Sequence, residues 1–143
     1  MNFLIQYAMS FIGVPYRWAG ENPIHGFDCS GLVQEILRSV GMDPPEDQTA
    51  QALYNLLVKK TTIRDNFCPG AVAFYGKSLT QITHVAFMID AFRVVEAGGG
   101  GATTKTKEDA ALQNAFVRIR PVNHRKDLLV TLLPDYPADL IIR

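Results

Sequence analysis

The sequence predicts an α+β domain in which N-terminal helices pack on a mostly antiparallel β-sheet. Apolar residues recur at helical spacing as far as Lys59. From Cys68 onward they gather instead into short, β-rich runs separated by turn-like segments. Helices first and strands after is the order of an α+β chain. No internal repeat and no splitting linker interrupts it, so residues 1–143 read as one domain with one core.

The first element is MNFLIQYAMSFIG, where Leu4, Ile5, Ala8, Phe11 and Ile12 repeat at helical spacing. It has no Lys or Arg, Gln6 and Ser10 interrupt it, and no A-x-A-like cleavage site follows. It therefore reads as an amphipathic helix and not as an export signal. Gly13-Val14-Pro15 ends it, and the loop YRWAGENPIHGFD follows. In SGLVQEILRSVG, Leu32, Val33, Ile36, Leu37 and Val40 form a second stripe, with Asp28 or Ser30 as its cap and Gly41 as its stop. After Pro44-Pro45, Thr49 to Lys59 is a third helix with Ala52, Leu53, Leu56 and Leu57 inward. The strands are Ala71–Tyr75, His84–Ile89, Arg93–Glu96 and Phe116–Pro121. The last alternates Val117 and Ile119 with Arg118 and Arg120. Between the third and fourth lie a glycine-rich loop and a short helix near Asp109 to Ala115. PDYPADLIIR reads as a final edge strand or an arm.

Composition excludes several functions. Fourteen basic and 14 acidic residues give zero net charge, so nothing global draws the chain to nucleic acid or an anionic membrane. No run approaches the roughly 20 apolar residues of a membrane span. Two cysteines are too few for a secreted disulfide scaffold, and Cys68 is expected as a free structural thiol. Synthesis in the cytoplasm without a signal peptide is the expected origin. Cys29, Cys68, His25 and His84 lack metal-ligand spacing, so neither metal nor other cofactor is expected. Gly98 to Gly101 lacks the Gly-Lys-Ser/Thr ending of a phosphate loop and reads as a flexible rim that touches substrate. Asp43 and Glu46 read as solvated charge in a turn.

The chemistry centres on GFDCSG. Cys29 stands where a helix begins, and a helix N-terminus favours the thiolate through its free N–H groups and dipole. The same N–H groups can hold an oxyanion. A thiol nucleophile needs a base, and the base needs an orienting group. Of the three histidines, His25 lies in a Pro/Gly loop as an exposed or substrate-contacting residue, and His124 reads as a solvated loop residue. His84 opens the apolar strand THVAFMID, at the rim of the sheet. A hairpin through Asp90-Ala91-Phe92 would bring Glu96 to the far side of its ring.

These residues carry a family resemblance. GVPYRWAGENPIHGFDCSGLVQEILRSVG, CPGAVAFYG and ITHVAFMID resemble the NlpC-type cell-wall peptidases, which are papain-like, over roughly Ile5 to Gly99. The resemblance implies that Cys29 is the nucleophile and His84 the base. It further implies that Tyr16 polarises the substrate carbonyl and that Asp28 and Ser30 flank the peptide. Three positions depart from the family pattern: Ala19 for a loop glycine, Ala71 for an acidic residue, and Glu96 for a third histidine or another polar residue.

The implied function is cysteine-peptidase hydrolysis of peptidoglycan stem peptides between D-γ-glutamyl and a diamino acid, without a metal. The setting expected is a bacteriophage one, with a phage tail or assembly partner, virion-associated or delivered to the cell envelope. Two other readings stand beside it. One is a thiol-dependent amidase or acyltransferase on a lipid or other amide. The other is a non-catalytic phage component that keeps the fold.

Overall fold

The computed structural model describes residues 1–42, 44–138 and 140. Helix α1, Asn2–Met9, buries Leu4 and Ala8, with Phe11 buried just beyond it. Ile12, expected on the same stripe, is exposed because the helix stops at Met9 and the chain turns before reaching it. Helix α2, Cys29–Arg38, runs through the core with Leu32, Val33, Ile36 and Leu37 fully buried. Each such side chain contributes about 1.5–3 kcal/mol. Its cap is Asp28, whose backbone is extended and whose carboxylate accepts from the Gly31 N–H at 2.7 Å. Ser30 already lies inside the helix.

Helix α3, Ala50–Leu57, is capped by Thr49 and buries Ala50, Leu53, Tyr54 and Leu57. Its inward face is therefore turned from the expected Ala52/Leu56 side. The Tyr54 ring draws it round by meeting Phe74 edge-on at 5.3 Å. Helix α4, Lys107–Gln113, starts before the expected Asp109 because Thr106 and Asp109 form a reciprocal capping box.

The loop ahead of α2 holds an unexpected hairpin, β1 (Glu21–Asn22) with β2 (Gly26–Phe27). The main sheet comprises β3 (Ile63–Arg64), β4 (Val72–Gly76), β5 (Ile82–Met88), β6 (Arg93–Gly98), β7 (Phe116–Pro121) and β8 (Leu128–Leu133). Its order is β3-β8-β4-β5-β6-β7, and each of these pairings is antiparallel. β8 had no sequence assignment. Its LLVTLL run is apolar but for Thr131; the strand lies between β3 and β4 and buries Val130, Thr131 and Leu132. Beyond Leu133 the chain is an arm and not an edge strand as far as it is described. Tyr136 is buried there, and its hydroxyl donates to the Gly70 carbonyl at 2.6 Å. Asp43, Asp139 and 141–143 lie outside the described residues.

The sheet has two unlike faces. Phe74, Val85, Phe87, Val95 and Leu132 share the large core with the helices. The opposite face packs smaller residues, Ala71, Ala73, Ala86 and Val94, around Tyr75 and Met88. Ala71 is fully buried in this cluster, so an acidic side chain there would be surrounded by apolar groups.

The loop and the start of α2 fit with little clearance. A Cβ on Gly31 would lie 2.1 Å from the Gly20 carbonyl oxygen, so Gly31 lets the first turn of α2 sit against the loop. Ala19, by contrast, holds a left-handed φ of +58°. That conformation costs an L-residue about 1–2 kcal/mol, partly offset by the about 0.4–1 kcal/mol of unfolded-chain entropy that glycine adds. Urea unfolding should therefore show Ala19→Gly more stable by roughly 0.5–1 kcal/mol and Gly31→Ala less stable by about 1–3 kcal/mol. The reverse order would contradict this packing.

Candidate active site

Cys29 is the first residue of α2 and is half-buried, held at the helix entrance by the Asp28 cap and the close fit at Gly31. The free N–H groups of that first turn surround its sulfur side with positive potential. His84 comes to it from the sheet. It is the third residue of β5, 6% exposed, and so lies deeper than the expected rim position. Its partner across the ladder is Tyr75 of β4.

β5 and β6 pair with Phe87 opposite Val95 and Met88 opposite Val94. That register puts Glu96 diagonally across from His84 on the same face. The Nε2 of His84 lies 3.2 Å from Glu96 Oε1. Glu96 is not at the end of its strand as expected, because β6 continues to Gly98, and it is 3% exposed. A carboxylate only accepts, so Nε2 carries the hydrogen in this contact. Cys29 also acts on His84, and with Nε2 on Glu96 it is Nδ1 that is left for the thiol.

The charges are set by this arrangement. Burial alone would push the His84 pKa down, but hydrogen bonds to Cys29 and Glu96 and their charges outweigh it and raise it to about 9. Burial pushes Glu96 up, while the His84 hydrogen bond and the charges of His84, His124 and Arg120 leave it below its ordinary value. Thiol, imidazole and carboxylate thus form one line from a helix N-terminus into the sheet.

The line opens on a cavity of about 290 Å³ bordered by Tyr16, Thr83, Gly98 to Gly100, Arg120, His124 and Arg125. Tyr16 is buried, and burial together with the nearby Cys29 and Asp28 keeps its phenol protonated as a donor. The glycine run is a fitted wall, not only a rim. A Cβ on Gly98 would lie 2.5 Å from Glu96 Oε2, and one on Gly100 2.4 Å from Tyr16 Cδ1. Arg125 lies over the Tyr75 ring and holds Asp127 through Nε and Nη2 at 2.9 and 2.7 Å.

Other expected residues fall elsewhere. Asp28 caps α2 behind the sulfur; burial, with Asp47 adding to it, raises its pKa to about 6. Ser30 is buried and donates to Asp28 Oδ1 at 3.3 Å. Neither lines the cavity. His25 is exposed in the β1–β2 turn, and Cys68 is a free, half-buried thiol beside Tyr136 at another opening. Among the described residues, no group of three His, Cys, Asp or Glu is arranged to hold a metal ion.

The residue that sequence reasoning misplaced is His124. It is only partly exposed: its side chain is 16% exposed on the cavity, and its Nε2 lies 3.2 Å from the same Glu96 Oε1. The alternation of β7 gives no signal for it, because the strand ends at Pro121 and His124 lies in the turn beyond.

Fold and site together define an α+β domain with a thiol–imidazole–carboxylate site between a helix N-terminus and an antiparallel sheet. The NlpC/P60 family matches residues 13–121, and the chain belongs to that family. It is 33% identical over 96 residues to the gamma-DL-glutamyl hydrolase of Bacillus subtilis (strain 168), covering 66% of this chain and 22% of that one. It is 32% identical over 107 residues to the peptidoglycan endopeptidase RipA of Mycobacterium tuberculosis, covering 66% and 21%. The matched region is thus about a fifth of each relative. Among solved structures, RipD of Mycobacterium tuberculosis, described as a non-catalytic NlpC/p60 domain protein adapted to peptidoglycan binding, superposes with a TM-score of 0.68. That match has 20% identity and covers 94% and 95% of the two chains.

The raised His84 pKa stabilises the fold fully below its unfolded value of 6.5, and that contribution is lost as pH rises through about 9. The lowered Glu96 pKa acts in the other direction: its contribution is present above the unfolded 4.5 and fades as pH falls below it. Nuclear magnetic resonance of ring-labelled protein should show His84 titrating near 9, and Glu96→Gln should move that titration down. An unmoved His84 in the variant would remove Glu96 from the line.

Proposed function

We propose that this domain is a thiol peptidase that hydrolyses peptidoglycan stem peptides at the D-γ-glutamyl–diamino acid amide. The observation that carries the reading is Cys29 at the α2 N-terminus, on the same cavity as a buried His84 whose Nε2 is held by Glu96 at 3.2 Å. The name of one relative, gamma-DL-glutamyl hydrolase, supports a γ-glutamyl bond, and that of the other, a peptidoglycan endopeptidase, supports the polymer.

In this mechanism the Cys29 proton passes to His84 Nδ1 and the sulfur attacks the amide carbonyl. N–H groups of the first turn of α2 and the Tyr16 hydroxyl hold the oxyanion. The C–N bond breaks as His84 returns the proton to the leaving amine, leaving a thioester on Cys29. Water then attacks the thioester carbon, His84 takes its proton, and the C–S bond breaks to release the glutamyl γ-carboxylate and restore the thiol. A γ-linked glutamyl residue keeps a free α-carboxylate near the scissile amide. Arg120, which has no hydrogen-bond or ion-pair partner among the described residues, borders the cavity and is placed to receive it. Asp28 and Ser30 enter the proposal as supports of the Cys29 turn, from which they can also flank the peptide.

A binding role without turnover is the second reading, because RipD shows that the fold accommodates it. The Cys29–His84–Glu96 line favours catalysis, and the basic residues at the cavity disfavour an apolar lipid acceptor. Mass spectrometry of purified muropeptides should show one stem-peptide bond cut by the wild type. Cys29→Ala should lower that turnover by at least about a thousandfold. Muropeptides bound but uncut by both proteins would establish the binding role instead.

A further inference from the structure

His124 lies three residues past the end of β7, and its ring is fixed on two sides. Nδ1 is 2.9 Å from the Pro121 carbonyl oxygen, and Nε2 is 3.2 Å from Glu96 Oε1. The turn that carries it is anchored to the sheet. The Tyr75 hydroxyl donates to the Val122 carbonyl at 2.6 Å, and the Val122 N–H donates to the Phe92 carbonyl at 2.8 Å. Tyr75 also lies between the two histidines, with its ring centre 5.4 Å from that of His84 and 5.9 Å from that of His124. The Pro121 carbonyl can only accept, so Nδ1 carries the hydrogen in that contact, and this fixes the ring with Nε2 toward Glu96. One carboxylate oxygen thus lies 3.2 Å from each of two imidazoles, hydrogen-bonded to His84 and within ion-pair distance of His124.

We propose that His124 is a positioning residue of the reaction: it fixes the buried Glu96 carboxylate in the orientation that serves His84, and it acts on Cys29 only through Glu96. Glu96 has few other ways to stay in place. It is faced by His84 from β5, Tyr75 from β4, Arg118 and Arg120 from β7, His124 and Arg125 from the β7–β8 connection, and Cys29 from α2, with Arg118 turned to Phe116 and Asn114. Arg125 is engaged by Asp127, and Arg120 acts on Glu96 by charge without a hydrogen bond to it. Besides His84, His124 is the side chain within ion-pair distance of the carboxylate among the described residues. Without it the carboxylate keeps its burial and loses one of its two direct partners, so it protonates at a higher pH and turns more freely.

This inference rests on Cys29 as the nucleophile, but its test reads Cys29 directly and needs no substrate, so the two can fail separately. The full chain is alkylated with iodoacetamide between pH 4 and 9, and the Cys29 adduct is followed by peptide mass spectrometry. Wild type, His124→Ala, Glu96→Gln and the double variant form a cycle. The expected result is a loss of about tenfold in Cys29 rate near pH 6 for His124→Ala, with the acid limb of the profile moved upward. In the Glu96→Gln background the same substitution should change the rate less than about twofold. His124→Gln, which keeps a donor toward Glu96, should recover part of the loss, and it replaces alanine in the cycle if the alanine variant fails to fold. Equal losses in both backgrounds, an unchanged rate in His124→Ala, or a His124→Gln protein that also fails to fold would overturn the proposal and leave His124 a packing residue.

Discussion

Everything in this structure that bears on chemistry depends on one buried carboxylate. Glu96 is almost wholly removed from water on the small-residue face of the sheet, where an ionised group is costly unless paired and hydrogen-bonded. Two imidazoles meet the same oxygen at 3.2 Å, and Arg120 adds positive charge nearby. Each partner comes from a different stretch of chain. The pairing of β5, β6 and β7 and the turn beyond β7 must therefore all be in register for the charge to be satisfied. A slip of one residue in β6 would send Glu96 to the helix-facing core and strand it there.

The same carboxylate shapes the wall of the cavity. Gly98 is two residues on from Glu96, and any side chain there would meet Oε2. Gly100 makes the corresponding room for the Tyr16 ring. The glycine run is thus spaced by what packs against it, and loop freedom does not account for these two positions. On the other side, the helix dipole at Cys29 and the carboxylate at Glu96 act on the two nitrogens of one imidazole. A thiol that gives up its proton leaves negative charge at both ends of a positive ring, which is the order of charges a covalent mechanism uses.

Much of this was legible in the sequence because it depends on local pattern. FDCSG names its own helix entrance, the apolar run THVAFMID marks one strand, and alternation in FVRIRP marks another whose faces follow from parity. The departure at position 96 was readable too, because a carboxylate can orient an imidazole as a histidine can. What escaped was set by tertiary pairing. LLVTLL has no alternation, since β8 is flanked on both sides, and its apolar run alone does not distinguish strand from helix. The face of α3 was turned by Tyr54 against Phe74, a contact between elements distant in sequence. His124 sits among Arg, Lys and Asn in NHRKD, a composition that reads as surface. It became an inside residue only when Tyr75 drew Val122 against the sheet.

The central claim is that the buried His84–Glu96 pair makes Cys29 a reactive thiol. The two cysteines of the chain supply their own comparison, since Cys68 is equally half-buried, and burial raises its pKa with no histidine beside it. The direct measurement is competition between the two for limiting iodoacetamide at pH 7 in native protein, read as the ratio of adducts by mass spectrometry. The account predicts modification of Cys29 at least about tenfold ahead of Cys68, a preference that disappears in urea. Equal labelling of the two in the folded protein would contradict it.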